Sequence, residues 1–173
     1  EIIAPSDDNQ ITIHLDEGTY SPSLTGETFS INMISNVNLI GAGEELTILD
    51  AEQSDRVITI INCENNIISN ITITGGEVNS GGGMFLDESN PILNNIIISE
   101  NIAFYSGGGI VLSRSNPKMQ NISILQNETQ GPESFGGGIY FWFSSPDILH
   151  LTVNDNVSEF VGGGIYLSAS SPN

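Results

Sequence analysis

The sequence predicts an all-β solenoid of about 6–7 coils, each of roughly 26 residues. Three observations predict it. The tetrapeptide Gly81-Gly82-Gly83-Met84 returns as Gly107-Gly108-Gly109-Ile110, Gly136-Gly137-Gly138-Ile139 and Gly162-Gly163-Gly164-Ile165, with starts 26, 29 and 26 residues apart. The apolar residues come as short β-branched runs ended by Asn, Gly or Ser, and no window of helical length keeps a 3.6-residue period. The runs also hold constant positions relative to the glycines. A chain that returns above itself at fixed intervals pairs in parallel with its own next coil, about 4.8 Å away.

In order, Ile11-Thr12-Ile13-His14-Leu15 alternates as a strand does and closes at Gly18-Thr19-Tyr20. Pro22 and Gly26 mark a loop, and the runs around Val37 to Ile40, Leu46 to Asp50 and Val57 to Ile61 follow. Gly41-Ala42-Gly43 lacks the third glycine and the helix of a dinucleotide-binding loop, so it reads as a turn. Residues 1–55 form irregular first coils and 56–173 regular ones, all in one domain. Counted from the first glycine, offsets three and five (Met84, Leu86; Ile110, Leu112; Ile139, Phe141; Ile165, Leu167) are expected inside, alternating with offsets four and six outside. Offsets eight to ten are turns ending in Pro91, Pro117, Pro146 and Pro172. Apolar pairs follow at offsets fifteen and seventeen, preceded by Asn95, Asn121 and His150, with Asn70 one coil earlier. Asn tolerates left-handed backbone, and stacked copies place Asn70, Asn95, Asn121 and His150 in a structural ladder. Asn101, Asn127 and Asn156 repeat at offset twenty. Each triplet is expected to bring the backbone round into the first strand of its coil.

Three Lys plus Arg against 21 Asp plus Glu give a formal charge of −18. Such a surface disfavours nucleic acid and anionic membranes, both of which are held through Lys and Arg. No run of 18 apolar residues is present for membrane insertion. The lone Cys63 forms no intrachain disulfide and reads as a small buried or turn residue. Glu1 to Pro5 lacks the basic and apolar regions of a signal peptide. The last glycine copy stops at offset eleven, so the chain is expected to be a fragment of a longer protein. Four Asn-x-Ser/Thr sequons, at Asn70, Asn121, Asn127 and Asn156, mostly fall on ladder positions and are explained by the repeat.

These motifs resemble the right-handed parallel β-helix proteins of the pectin-lyase-like superfamily over nearly the whole chain. Ile13 to Tyr20, Val37 to Gly43 and Thr47 to Asp50 look like that family's first coils. The glycine copies are similar to the GGGI-type repeats of bacterial cell-surface β-helix proteins and, more loosely, to chlamydial polymorphic outer-membrane repeats. From those last repeats the chain departs in its third glycine and in having one companion motif, Phe29 to Asn32. The resemblance implies a right-handed coil. It leaves function open, because the architecture serves lyases, hydrolases and adhesins alike.

Neither enzymatic constellation of such folds is assembled in the sequence. The strong bases are Arg56, Arg114 and Lys118; Asp87-Glu88 lie one coil before Arg114 and suggest a surface ion pair. Asp147, His150 and Asp155 share a coil on what read as different strands. The Asp pattern of calcium-binding nonapeptide repeats is missing, so no metal, cofactor or catalytic residue is assigned. The outward feature with ligand character is aromatic: Phe85, Tyr140 and Tyr166 at offset four and Trp142 at offset six, candidates for carbohydrate binding. The expected function is a non-catalytic module, extracellular or on a bacterial cell surface and adhesin-like or carbohydrate-contacting. Its partners would be polysaccharide, a host or neighbouring cell surface, and the rest of a longer chain. The alternatives are a fragment of a β-helical polysaccharide lyase or glycoside hydrolase, and a structural spacer or filament repeat.

Overall fold

The computed structural model describes residues 4–173. Among them every regular element is a strand, every pairing between named strands is parallel, and no helix is long and apolar enough to cross a membrane. Three sheets run along the stack. The first contains Ile11–Leu15, Val37–Gly41, Ile67–Thr74, Ile92–Ser99, Lys118–Leu125 and Asp147–Asn154 in that spatial order, one strand for each of about six coils. The second contains Ile31–Asn32, Ile58–Ile61, Met84–Asp87, Ile110–Ser113, Ile139–Trp142 and Ile165–Ser168. The third is short, built from Glu77–Ser80, Ile102–Ser106, Glu128–Thr129 and Val157–Ser158. Gly18–Tyr20, expected to be a closing turn, is instead a strand that pairs with Thr47–Leu49.

Register carries like onto like. Ile71, Ile96, Ile122 and Leu151 form one column, and Ile73, Ile98, Ile124 and Val153 another. From the second sheet Met84, Ile110 and Ile139 meet Leu86, Leu112 and Phe141, all buried as the alternation predicts. Each such aliphatic contributes about 1.5–3 kcal/mol of transfer free energy. The fourth copy departs: Ile165 and Leu167 stand 39% and 45% exposed as the last rung of their sheet. Ile11 and Ile13, on the first rung of the other sheet, are open for the same reason.

Each regular coil turns through four left-handed residues. The first is the leading glycine, Gly81, Gly107, Gly136 or Gly162, at φ between 56° and 68°. The second is Glu88, Arg114, Phe143 or Ala169; the third Asn95, Asn121 or His150; the fourth Glu100, Gln126 or Asp155. After two of these corners the next residue turns inward and joins its coil to the following one. Cys63, Ser89, Ser115 and Ser144 donate their backbone N–H to the hydroxyls of Ser89, Ser115, Ser144 and Ser170, at 2.9–3.1 Å. Asn101 and Asn127 are fully buried, and the Asn101 and Asn127 amides donate to Asn127 Oδ1 and Asn156 Oδ1 at 3.0 and 2.9 Å. The same oxygens accept the backbone N–H of Asn101 and Asn127.

Only the first glycine of each triplet is left-handed. The other two are required by close approach: a Cβ on Gly108 would lie 2.5 Å from Gly137 O, and one on Gly109 would lie 3.0 Å from Asn127 Nδ2. The triplet therefore does more than bend the chain. It makes room for the next coil's backbone and for the buried asparagine.

Gly108→Ala is expected to lower stability by about 1–3 kcal/mol or more, read as a drop in the urea midpoint. Asn127→Leu, which removes a donor to Ile98 O and the acceptor of the Asn101 N–H, should cost at least about 2 kcal/mol. Gln126→Gly should do the opposite. It replaces an exposed left-handed residue whose backbone costs about 1–2 kcal/mol, against a glycine entropy cost of about 0.5–1 kcal/mol.

Candidate ligand-contacting surfaces

Phe85, Val111, Tyr140 and Tyr166 are register partners down the outer face of the second sheet, with Asp87, Ser113, Trp142 and Ser168 beside them. The four candidate rings do not share one open platform. Phe85 lies beneath Arg56, whose guanidinium carbon is 4.9 Å from the ring centroid. Arg56 donates to the carbonyls of Gly81 and Ser80 and to the Thr59 hydroxyl, so its stem and head cover the ring. Val111, next in the column, is buried. Tyr140 and Tyr166 stack at 5.6 Å, and Phe135 covers both at 6.3 and 4.8 Å. Phe135 ends the longer loop that follows Glu128–Thr129, and it bridges to Ser106 and Val161. Burial pushes the Tyr140 phenol up. Trp142, 36% exposed, is the open member, flanked by Phe143 at 5.2 Å and by the Arg114 guanidinium at 5.1 Å.

Arg114 is held by Asp87 and Glu88 at 2.7 and 2.8 Å. Exposed ion pairs of this kind stabilise little, and here the pair serves to position the guanidinium against Trp142. The structure places Asn70, Asn95, Asn121 and His150 one above another. Asn95 Nδ2 donates to Asn70 Oδ1 at 3.0 Å, Asn121 Nδ2 to Asn95 Oδ1 at 2.9 Å, and His150 Nδ1 lies 3.0 Å from Asn121 Oδ1. Asp147 and His150 prove to share one strand, Asp147–Asn154, with Asp155 at the corner after it. Asp147 accepts from Asn173 and His150 meets Asn121, so their spacing brings no reactive pair together. Cys63 is buried, donating to Met33 O, and burial pushes its thiol up. Among the described residues no three His, Cys, Asp or Glu side chains converge as a metal cage.

The aromatic pair that sequence periodicity passes over is Phe104-Tyr105. Register in the third sheet shifts between Ala103 and Ser106, and the irregularity turns two successive side chains outward. Phe104 and Tyr105 are 45% and 53% exposed and meet edge to face at 4.8 Å. Phe104 borders a groove of about 450 Å³ with Glu77, Val78, Asn79, Ile102 and Gln130. Gln130 comes from the longer loop, whose Gly131 N–H bonds Phe104 O at 2.8 Å. Gln130, still in register with Phe104, forms one wall of the groove. Among the other copies Phe160 alone is aromatic at either offset, aligned with Tyr105, so the repeat gives little hint of where the two rings point.

Parallel strands, inward aliphatic columns and hydrogen-bonded corner ladders define a β-solenoid. The chain belongs to the right-handed β-helix family: the model described as "right handed beta helix region" matches residues 13–173. That membership is consistent with the pectin-lyase-like resemblance. Comparison with curated proteins and with solved structures finds no match.

Proposed function

We propose that this chain is a non-catalytic β-helix module, extracellular or on a bacterial cell surface, that contacts carbohydrate in an adhesin-like role. The observation that carries this reading is the groove beside Phe104, whose open ring, in edge contact with Tyr105, lies next to a carboxylate and two amides. Sugar rings present an apolar C–H face for an aromatic ring and hydroxyls for Glu77, Asn79 and Gln130, and concave sites pair apolar walls with a few polar groups in this way. A rigid stack supplies the preorganisation that weak polar contacts need. Trp142, with Arg114 against it, is a second contact point in the same reading. Beside Trp142, binding rather than turnover is supported by the commitment of Asp87 and Glu88 to Arg114.

A panel of neutral and acidic glycans, with and without calcium, tests this directly. Phe104→Ala/Tyr105→Ala should weaken binding of the best glycan at least about tenfold, a loss of about 1.4 kcal/mol, while Trp142→Ala should weaken it less. Unchanged affinity in the double variant, or release of unsaturated products or new reducing ends, would overturn the proposal.

A further inference from the structure

Twice on its outer surface the chain sets a guanidinium against an aromatic ring. Arg56 lies 4.9 Å from the Phe85 centroid, and Arg114 lies 5.1 Å from that of Trp142 while Asp87 and Glu88 hold it at 2.7 and 2.8 Å. A ring face attracts a cation, and a carboxylate close by adds to that attraction. The groove beside Phe104 offers the same two components, and the chain supplies no cation there.

Register brings two carboxylates to this groove. Ile102 and Glu77 both line it, and Ile102 pairs with Glu77 in the coil before and with Glu128 in the coil after. Two coil steps place the glutamates about 10 Å apart on either side of Ile102. Glu77 is exposed and Glu128 half-buried, and neither enters an ion pair among the described residues. The chain's three cations are placed elsewhere. Arg56 donates to Gly81 O and Ser80 O, Arg114 is bound by Asp87 and Glu88, and Lys118 opens a strand of the first sheet between Ile92 and Asp147. Asn79 and Gln130 complete the polar lining, and each adds a carboxamide oxygen to the acceptors.

We propose that the Phe104 groove selects a glycan with free amino groups, its ammonium ions held by Glu77 and Glu128 and a sugar C–H face set on Phe104. The inference rests on the carbohydrate reading of this groove and adds the charge of the ligand. An ammonium donates three hydrogen bonds and accepts none, which matches a lining rich in carboxylate and carboxamide oxygens. A neutral sugar would bond the two amides but cover the carboxylates without compensating their charge, which is costly. A uronate polymer would bring further negative charge to a molecule already at −18. N-acetylation of the amine removes the charge and with it the preference.

Calorimetry on the full chain at pH 6 and low salt compares the glucosamine hexamer, its fully N-acetylated form and cellohexaose. The glucosamine hexamer should bind at least about tenfold tighter than either neutral hexamer, and added salt should shrink that advantage. Glu77→Gln/Glu128→Gln keeps side-chain size and removes both charges. It should erase the preference while leaving neutral-hexamer affinity and the melting midpoint unchanged. Asp8→Asn/Glu17→Gln removes the same charge at exposed positions in the first coils and should keep the preference, which separates this groove from the general pull of an acidic surface. Equal affinity for charged and neutral hexamers, or equal loss of the preference in both variants, overturns the charge inference and leaves the carbohydrate reading standing. Failure of every glycan to bind overturns both. So does tighter binding of hexa-arginine than of any glycan, abolished by Phe104→Ala/Tyr105→Ala, which would assign the groove to a basic peptide.

Discussion

The structure depends on one constraint: the asparagine and serine side chains buried at two corners of each coil are satisfied by the coil above or below. A sheet edge can bond to water, but Asn127 cannot, since it is fully buried and its Oδ1 holds both the backbone N–H and the side-chain amide of Asn101. That arrangement closes only if Asn156 repeats it at the same place in the next coil. The glycine triplet is a consequence. Gly83, Gly109 and Gly138 face the amides of Asn101, Asn127 and Asn156, and a methyl group at any of them would displace the ladder. The serine column at the opposite end of the first-sheet strand obeys the same rule with a shorter side chain. Ser89, Ser115 and Ser144 each take an N–H from one coil while bonding a carbonyl two residues back.

A stack fixed this strictly from within leaves its outside free to vary. At the corner shared by Glu88, Arg114, Phe143 and Ala169 the backbone is left-handed in every copy, and the four side chains have nothing chemical in common. Steric strain at each is of order 1–2 kcal/mol, and the ladder on the following residue holds it in place. The same freedom explains how Val111 sits in a column of aromatics and how three extra residues enter before Gly136 without disturbing the register of Ile110 with Ile139. Function has room only at such outward positions.

The inside was therefore legible in the sequence and the outside was not. Alternation placed Met84, Leu86, Ile110, Leu112, Ile139 and Phe141 in the core because period two and a 26-residue repeat constrain each other. Asn101, Asn127 and Asn156 could be read as a turn because asparagine is chosen there for its conformation and its amide together. The left-handed corners at Glu88 and Gln126 left no trace, since tertiary stacking imposes their backbone. The cover over Phe85 came from Arg56, which lies on another coil. Phe104 and Tyr105 escaped because their outward turn depends on a register shift, a property of the pairing and not of either residue.

Where a repeat is broken is thus where ligand contact is to be sought. The Phe104 groove lies at a bulge in one coil, just ahead of the longer loop in the next, and both interrupt a register that is otherwise kept from Ile67 to Asn154. The coil that follows holds Phe104 O through the Gly131 N–H, so the ring's backbone is fixed before any ligand arrives. That lowers the entropy lost on binding relative to the same residue on a mobile loop. The interaction that holds the solenoid together is also what preorganises its surface.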